Sequence, residues 1–76
     1  MKDVLEYVAR HLVDDPDAVE VTAVEGERSV ILQLKVAPDD MGKVIGKKGR
    51  TARSIRSLLR AAGSRQGITT VVEIVG

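Results

Sequence analysis

Seventy-six residues allow one small domain, near the lower limit at which a hydrophobic core suffices without metal or disulfide support. The absence of cysteine excludes disulfides, thiolate metal sites and cysteine nucleophiles, and no apolar run is long enough to span a membrane. The net charge of +1 hides a strong polarity: Met41 to Arg65 carries eight basic residues and no acid, whereas the remainder carries four basic and eleven acidic residues, setting +8 against −7.

Val4, Leu5, Val8 and Leu12 recur at helical spacing, which predicts an amphipathic helix over about residues 2–13, ended by Asp14-Asp15-Pro16-Asp17. The acids among the first residues interrupt the apolar stretch that a secretory signal needs, so the protein is expected to be cytoplasmic. Val19 to Val24 alternates as a strand, Glu25-Gly26-Glu27 reads as a hairpin turn, and Val30, Leu32, Leu34 and Val36 mark one face of a longer strand. Pro38-Asp39-Asp40 opens a short helix with Asp39 as its expected N-cap, and that helix stops at Gly46. A further helix over about 50–62 places Ile55, Leu58, Leu59 and Ala62 on one side and Arg53, Arg56 and Arg60 on the other, with Gly63 as its expected C-terminal cap. Ile68 to Val75 reads as a last strand with Thr70, Val72 and Ile74 facing inward. The expected architecture is an α+β domain, α-β-β-α-α-β, whose three-stranded sheet carries helices on one face. The whole chain, 1–76, is expected to form that single domain.

The residues that carry chemistry lie between the two later helices, in Val44-Ile45-Gly46-Lys47-Lys48-Gly49-Arg50. Glycines lack a Cβ and let an anion approach the main chain, the lysines supply charge, and the free N–H groups of the following helix point to the same spot. Set in this context, Gly46-Lys47-Lys48-Gly49 resembles the GXXG loop of the KH domain, which clamps the backbone of single-stranded RNA or DNA. The element order resembles the bacterial, type II form of that fold. The length resembles the stand-alone bacterial KhpA-like family rather than the longer chains that carry KH segments.

That resemblance implies an RNA-binding protein, an RNA chaperone or post-transcriptional regulator with a role in cell-wall homeostasis and cell length. It implies single-stranded RNA as ligand, with single-stranded DNA as a second candidate, and a homodimer or a heterodimer with a larger KH-containing protein. It assigns RNA binding to Lys43, Ile45, Gly46, Lys47, Lys48, Gly49, Arg50 and Arg53, with Ile45 beneath the bases and Val44 turned to the core. Lys43 reads equally as a solvated lysine. The candidate dimer surface is the apolar side of the last helix, at Leu58 and Leu59, and both leucines read equally as core.

An enzyme is disfavoured and no cofactor or metal is expected. His11 is the sole histidine, and Asp14, Asp15 and Asp17 lack the glycine and terminal glutamate of a calcium loop. Gly42 to Lys48 falls short of a nucleotide-binding loop, because only three residues separate its glycines and Lys48 stands where Ser or Thr would hold magnesium. A protein-interaction module remains as the alternative, using Val24, Ile31 and Val71 on the outer sheet face within a larger RNA-binding complex. The single aromatic residue, Tyr7, lies on the first helix, so base stacking is not expected at the loop.

Overall fold

The computed structural model describes residues 1–75 and has the order expected, α-β-β-α-α-β. Helix α1 (Lys2–Leu12) is followed by strands β1 (Glu20–Glu25) and β2 (Ser29–Lys35), helices α2 (Met41–Ile45) and α3 (Arg50–Arg65), and strand β3 (Thr69–Val75). Short 3-10 turns at Pro16–Ala18, Pro38–Asp40 and Lys47–Gly49 join them. Strand β2 is central. It pairs antiparallel with β1, Val24 opposite Ile31, and parallel with β3, Ile31 opposite Val71. A parallel neighbour cannot be reached by a tight turn, and the α2–α3 pair supplies the crossover.

Alternation in β2 buries Val30, Leu32 and Leu34, continued by Val36, against Leu5 and Ala9 of α1, Val44 of α2, and Ile55 and Leu59 of α3. In β3, Thr70 and Val72 are buried and Ile74 is half-buried, as the alternation predicts. The opposite face of the sheet is open, and Val24, Ile31 and Val71 lie in register across it, all exposed. Among the described residues, no helix is long and apolar enough to cross a membrane.

Several local expectations are corrected. On α1 the inward face runs through Leu5 and Ala9, while Val4 points outward. Asp39 is exposed and caps nothing; the residue flanking α2 is Asp40, whose carboxylate is directed elsewhere. Gly63 lies within α3, which continues to Arg65. There the helix approaches β3 so closely that a Cβ on Gly63 would stand 2.8 Å from the Ile68 carbonyl oxygen and closer still to the Thr70 hydroxyl. Leu59 is core, whereas Leu58 is 52% exposed.

Candidate nucleic-acid interface

Helix α2 is a single five-residue turn, and its end separates two adjacent apolar residues. Val44 is completely buried, and Ile45, 38% exposed, sits at the surface beside the loop. The chain then takes three left-handed conformations within four residues: Gly46 at φ 76°, ψ 172°, Lys48 at φ 56°, ψ 25°, and Gly49 at φ 75°, ψ 14°. Lys48 is the only non-glycine residue with positive φ among the described residues.

These reversals fold the loop onto itself. The Gly46 N–H donates to the Gly42 carbonyl at 2.9 Å and the Gly49 N–H to the Gly46 carbonyl at 3.1 Å. The amides of Lys47 and Lys48 begin a 3-10 turn, where a backbone N–H has no partner within the turn. Turn amides in alternating conformations form a concavity suited to an anion. Sixteen residues of α3 start immediately after it, so the positive end of a helix about 24 Å long faces the loop.

Lys47, Lys48, Arg50, Arg53, Arg56, Arg60 and Arg65 are exposed and form no salt bridge among the described residues. Arg50 and Arg53 line an open depression with Ser54 and Ser57 on the first turns of α3. Arg56 reaches the sheet, its Nε donating to the Val72 carbonyl at 3.3 Å, on the free edge of β3. A concavity of about 330 Å³ lies at the far end of α3 among Met1, the β1–β2 turn, Gln66 and Ile68. Its charged side chains are Glu25 and Glu27, which repel phosphate.

Of the eight residues assigned from sequence, Ile45 to Arg50 are contiguous at the loop and Arg53 is one turn along α3. Lys43 stands apart: its ammonium pairs with the Asp14 carboxylate at 2.5 Å and with Asp40 at 3.4 Å. Its pKa is raised chiefly by the hydrogen bond to Asp14, against an opposing effect of desolvation. Asp40, 2% exposed, accepts the backbone N–H groups of Asp14 and Asp15. Burial acts to raise its pKa, but those two donors and then Lys43 outweigh it and hold the carboxyl below its ordinary value. Sequence reasoning missed Asp40. Its only signal is a second acid beside Asp39 ahead of a short helix.

On α1, His11 is exposed, donates from Nδ1 to the Tyr7 carbonyl at 2.8 Å and packs on the Tyr7 ring at 4.3 Å between centroids. No group of three or more His, Asp or Glu side chains among the described residues is placed to hold a metal ion.

A family model described as KhpA/KhpB, KH domain, matches residues 2–74. The chain belongs to this KH-domain family. It is 56% identical to the RNA-binding protein KhpA of Clostridium acetobutylicum, over 99% of this chain and all of that protein. It is 51% identical to the protein of the same name from Caldanaerobacter subterraneus, again over 99% of this chain and all of the relative. With the Aquifex aeolicus RNA-binding protein KhpA the identity is 48%, over 99% of this chain and 95% of the relative. No solved structure matches. The family is one of binding modules, and the chain is not an enzyme.

Proposed function

We propose that this chain binds single-stranded RNA through the Gly46–Gly49 loop. Lys47 and Lys48 hold the sugar-phosphate backbone, Arg50 and Arg53 take neighbouring phosphates, and Ile45 lies beneath the bases. The observation that carries this reading is the loop itself: a left-handed backbone at the N-terminus of α3, edged by cations that pair with no carboxylate among the described residues. Relatives aligned over nearly the whole chain are named RNA-binding proteins, which supports the choice of RNA. Single-stranded DNA is the competing ligand of the same chemistry.

Phosphate contacts position a strand without reading its sequence, and no aromatic ring stands at the loop. Both features favour a general RNA binder of modest affinity, and the resemblance to stand-alone bacterial KH proteins suggests an RNA chaperone or post-transcriptional regulator that acts in the cytoplasm. Resemblance to stand-alone bacterial KH proteins extends the reading to a role in cell-wall homeostasis and cell length. It also extends it to pairing with a second copy or with a larger KH-containing protein, for which exposed Leu58 is the candidate contact.

One observation favours a second reading, a subunit that acts mainly through protein contacts: Val24, Ile31 and Val71 form an exposed apolar row across the outer sheet face. Salt separates the two. In anisotropy titrations of a labelled 12-nucleotide oligouridylate, four phosphate contacts give a log–log slope near −2.8, about −0.7 for each. Replacing Lys47 and Lys48 by Asp is expected to cut the slope to about −1.4 or abolish binding. Unchanged affinity in that variant refutes the clamp.

A further inference from the structure

Asp40 is the buried ion nearest the loop, and every polar contact it makes is to a segment other than the loop. Its Oδ1 accepts the Asp14 N–H at 3.2 Å and the Lys43 ammonium at 3.4 Å, and its Oδ2 accepts the Asp15 N–H at 3.0 Å. Lys43 closes the arrangement by pairing with the Asp14 carboxylate. Asp14 and Asp15 lie just beyond the end of α1, while Asp40 and Lys43 bracket the start of α2. The two polar side chains therefore join the exit of α1 to the helix that delivers the glycine loop.

An isolated five-residue helix has no stability of its own, so the orientation of α2 must come from its neighbours. Val44 fixes its buried side, and the Asp14–Lys43–Asp40 cluster fixes its first turn. We infer that Asp40 and Lys43 are positioning residues of the RNA clamp: together they hold α2 and the Gly46–Gly49 loop in register with α1, and the Lys43 ammonium is engaged by Asp14 and Asp40 rather than by phosphate. This rests on the clamp reading and revises the assignment of Lys43 as an RNA ligand. An uncharged amide cannot replace Asp40. A side-chain NH2 would face a backbone N–H or the ammonium, and a buried donor would lose its acceptor. Lys43→Gln leaves the carboxylates of Asp14 and Asp40 without the cation that both now face.

The test compares wild type with Asp40→Asn, Lys43→Gln and Lys43→Arg by amide hydrogen exchange and by binding of the 12-nucleotide oligouridylate across a salt series. In Asp40→Asn and Lys43→Gln, exchange at Gly46, whose N–H closes α2, is expected to accelerate more than exchange at Leu32 in the β2–β3 ladder. RNA affinity falls about threefold to tenfold, the factor carried by one weakened hydrogen bond, and the salt slope stays at the wild-type value. Lys43→Arg keeps the charge and most of the affinity. A slope shallower by about 0.7 in Lys43→Gln makes Lys43 a phosphate ligand and overturns the inference. Equal acceleration at Gly46 and in the ladder also overturns it, because the pair then supports only global stability. If Asp40→Asn does not fold, Lys43→Gln decides both arms. If wild type binds no RNA, the clamp reading fails, and selective or uniform exchange at Gly46 still decides whether the pair positions the loop.

Discussion

Replacing Gly42, Gly46 and Gly49 by alanine, one at a time, probes the loop with a single added methyl group at three positions within eight residues. At Gly42, within α2, a Cβ meets nothing within 4 Å, and the change is expected to stabilise by about 0.5–1 kcal/mol through helix propensity. Gly49 also has open space, but φ 75° places it in the left-handed helical region, at a cost of about 1–2 kcal/mol for alanine. Gly46 combines two penalties. Its φ 76°, ψ 172° is a region essentially confined to glycine, worth about 1–3 kcal/mol, and a Cβ would stand 2.7 Å from Thr51 Cβ and 2.9 Å from the Thr51 backbone nitrogen. Thr51 Oγ1 can rotate away; the backbone of α3 cannot. The expected cost at Gly46 is therefore about 3 kcal/mol, against a total stability of roughly 4–11 kcal/mol for a chain of this size. Urea denaturation resolves the series: at a slope of about 1 kcal/mol/M, the midpoint rises by about 0.5–1 M for Gly42→Ala, falls by about 1–2 M for Gly49→Ala, and falls by about 3 M for Gly46→Ala. If Gly46→Ala costs no more than Gly49→Ala, the loop does not hold this conformation against α3.

Leu34, fully buried at the centre of the sheet, should cost about 2–5 kcal/mol as alanine, whereas Leu58→Ser should stay within about 0.5 kcal/mol; urea midpoints for the two variants check the division between core and surface. Stability should also show two pH limbs. The contribution of Asp40 is complete above its unfolded value of about 3.9 and is lost as pH falls through its depressed folded value. That of Lys43 is complete below its unfolded value of about 10.4 and is lost as pH rises through its raised folded value. Urea midpoints across that range should form a plateau between the limbs, and Asp40→Asn should flatten the acid limb; an unaltered acid limb contradicts the assignment. In the RNA titration, Arg65→Ala, at the far end of α3, should leave the salt slope nearly unchanged, while Arg53→Ala should make it shallower by about 0.7.

The element order, the buried face of β2 and the position of the glycine loop were legible because each rests on local periodicity or on glycine chemistry. What was illegible depends on tertiary partners. Leu58 and Leu59 differ by only 100° around a helix, and the position of β3, not the helical repeat, decides which of them is core. Gly63 reads as a terminator in sequence. In the fold it admits Thr70 and Ile68 against α3, which then runs two residues further. Asp39 and Asp40 are equivalent as adjacent acids until the chain brings the Asp14 and Asp15 amides to one of them. Lys43 belongs by sequence to the basic segment, and its partner Asp14 is distant along the chain and close in space. The glycine loop itself needs no distant partner, and the positive φ of Gly46 and Gly49 follows from the freedom of glycine.

RNA is expected to meet the Gly46–Gly49 loop and the start of α3. The most direct test is a titration of isotope-labelled protein with unlabelled single-stranded oligouridylate, followed by amide chemical shifts. Salt-sensitive shifts concentrated at Ile45 to Arg53 are the result predicted; shifts confined to Val24, Ile31 and Val71 on the outer sheet face, or none at the loop, would contradict it.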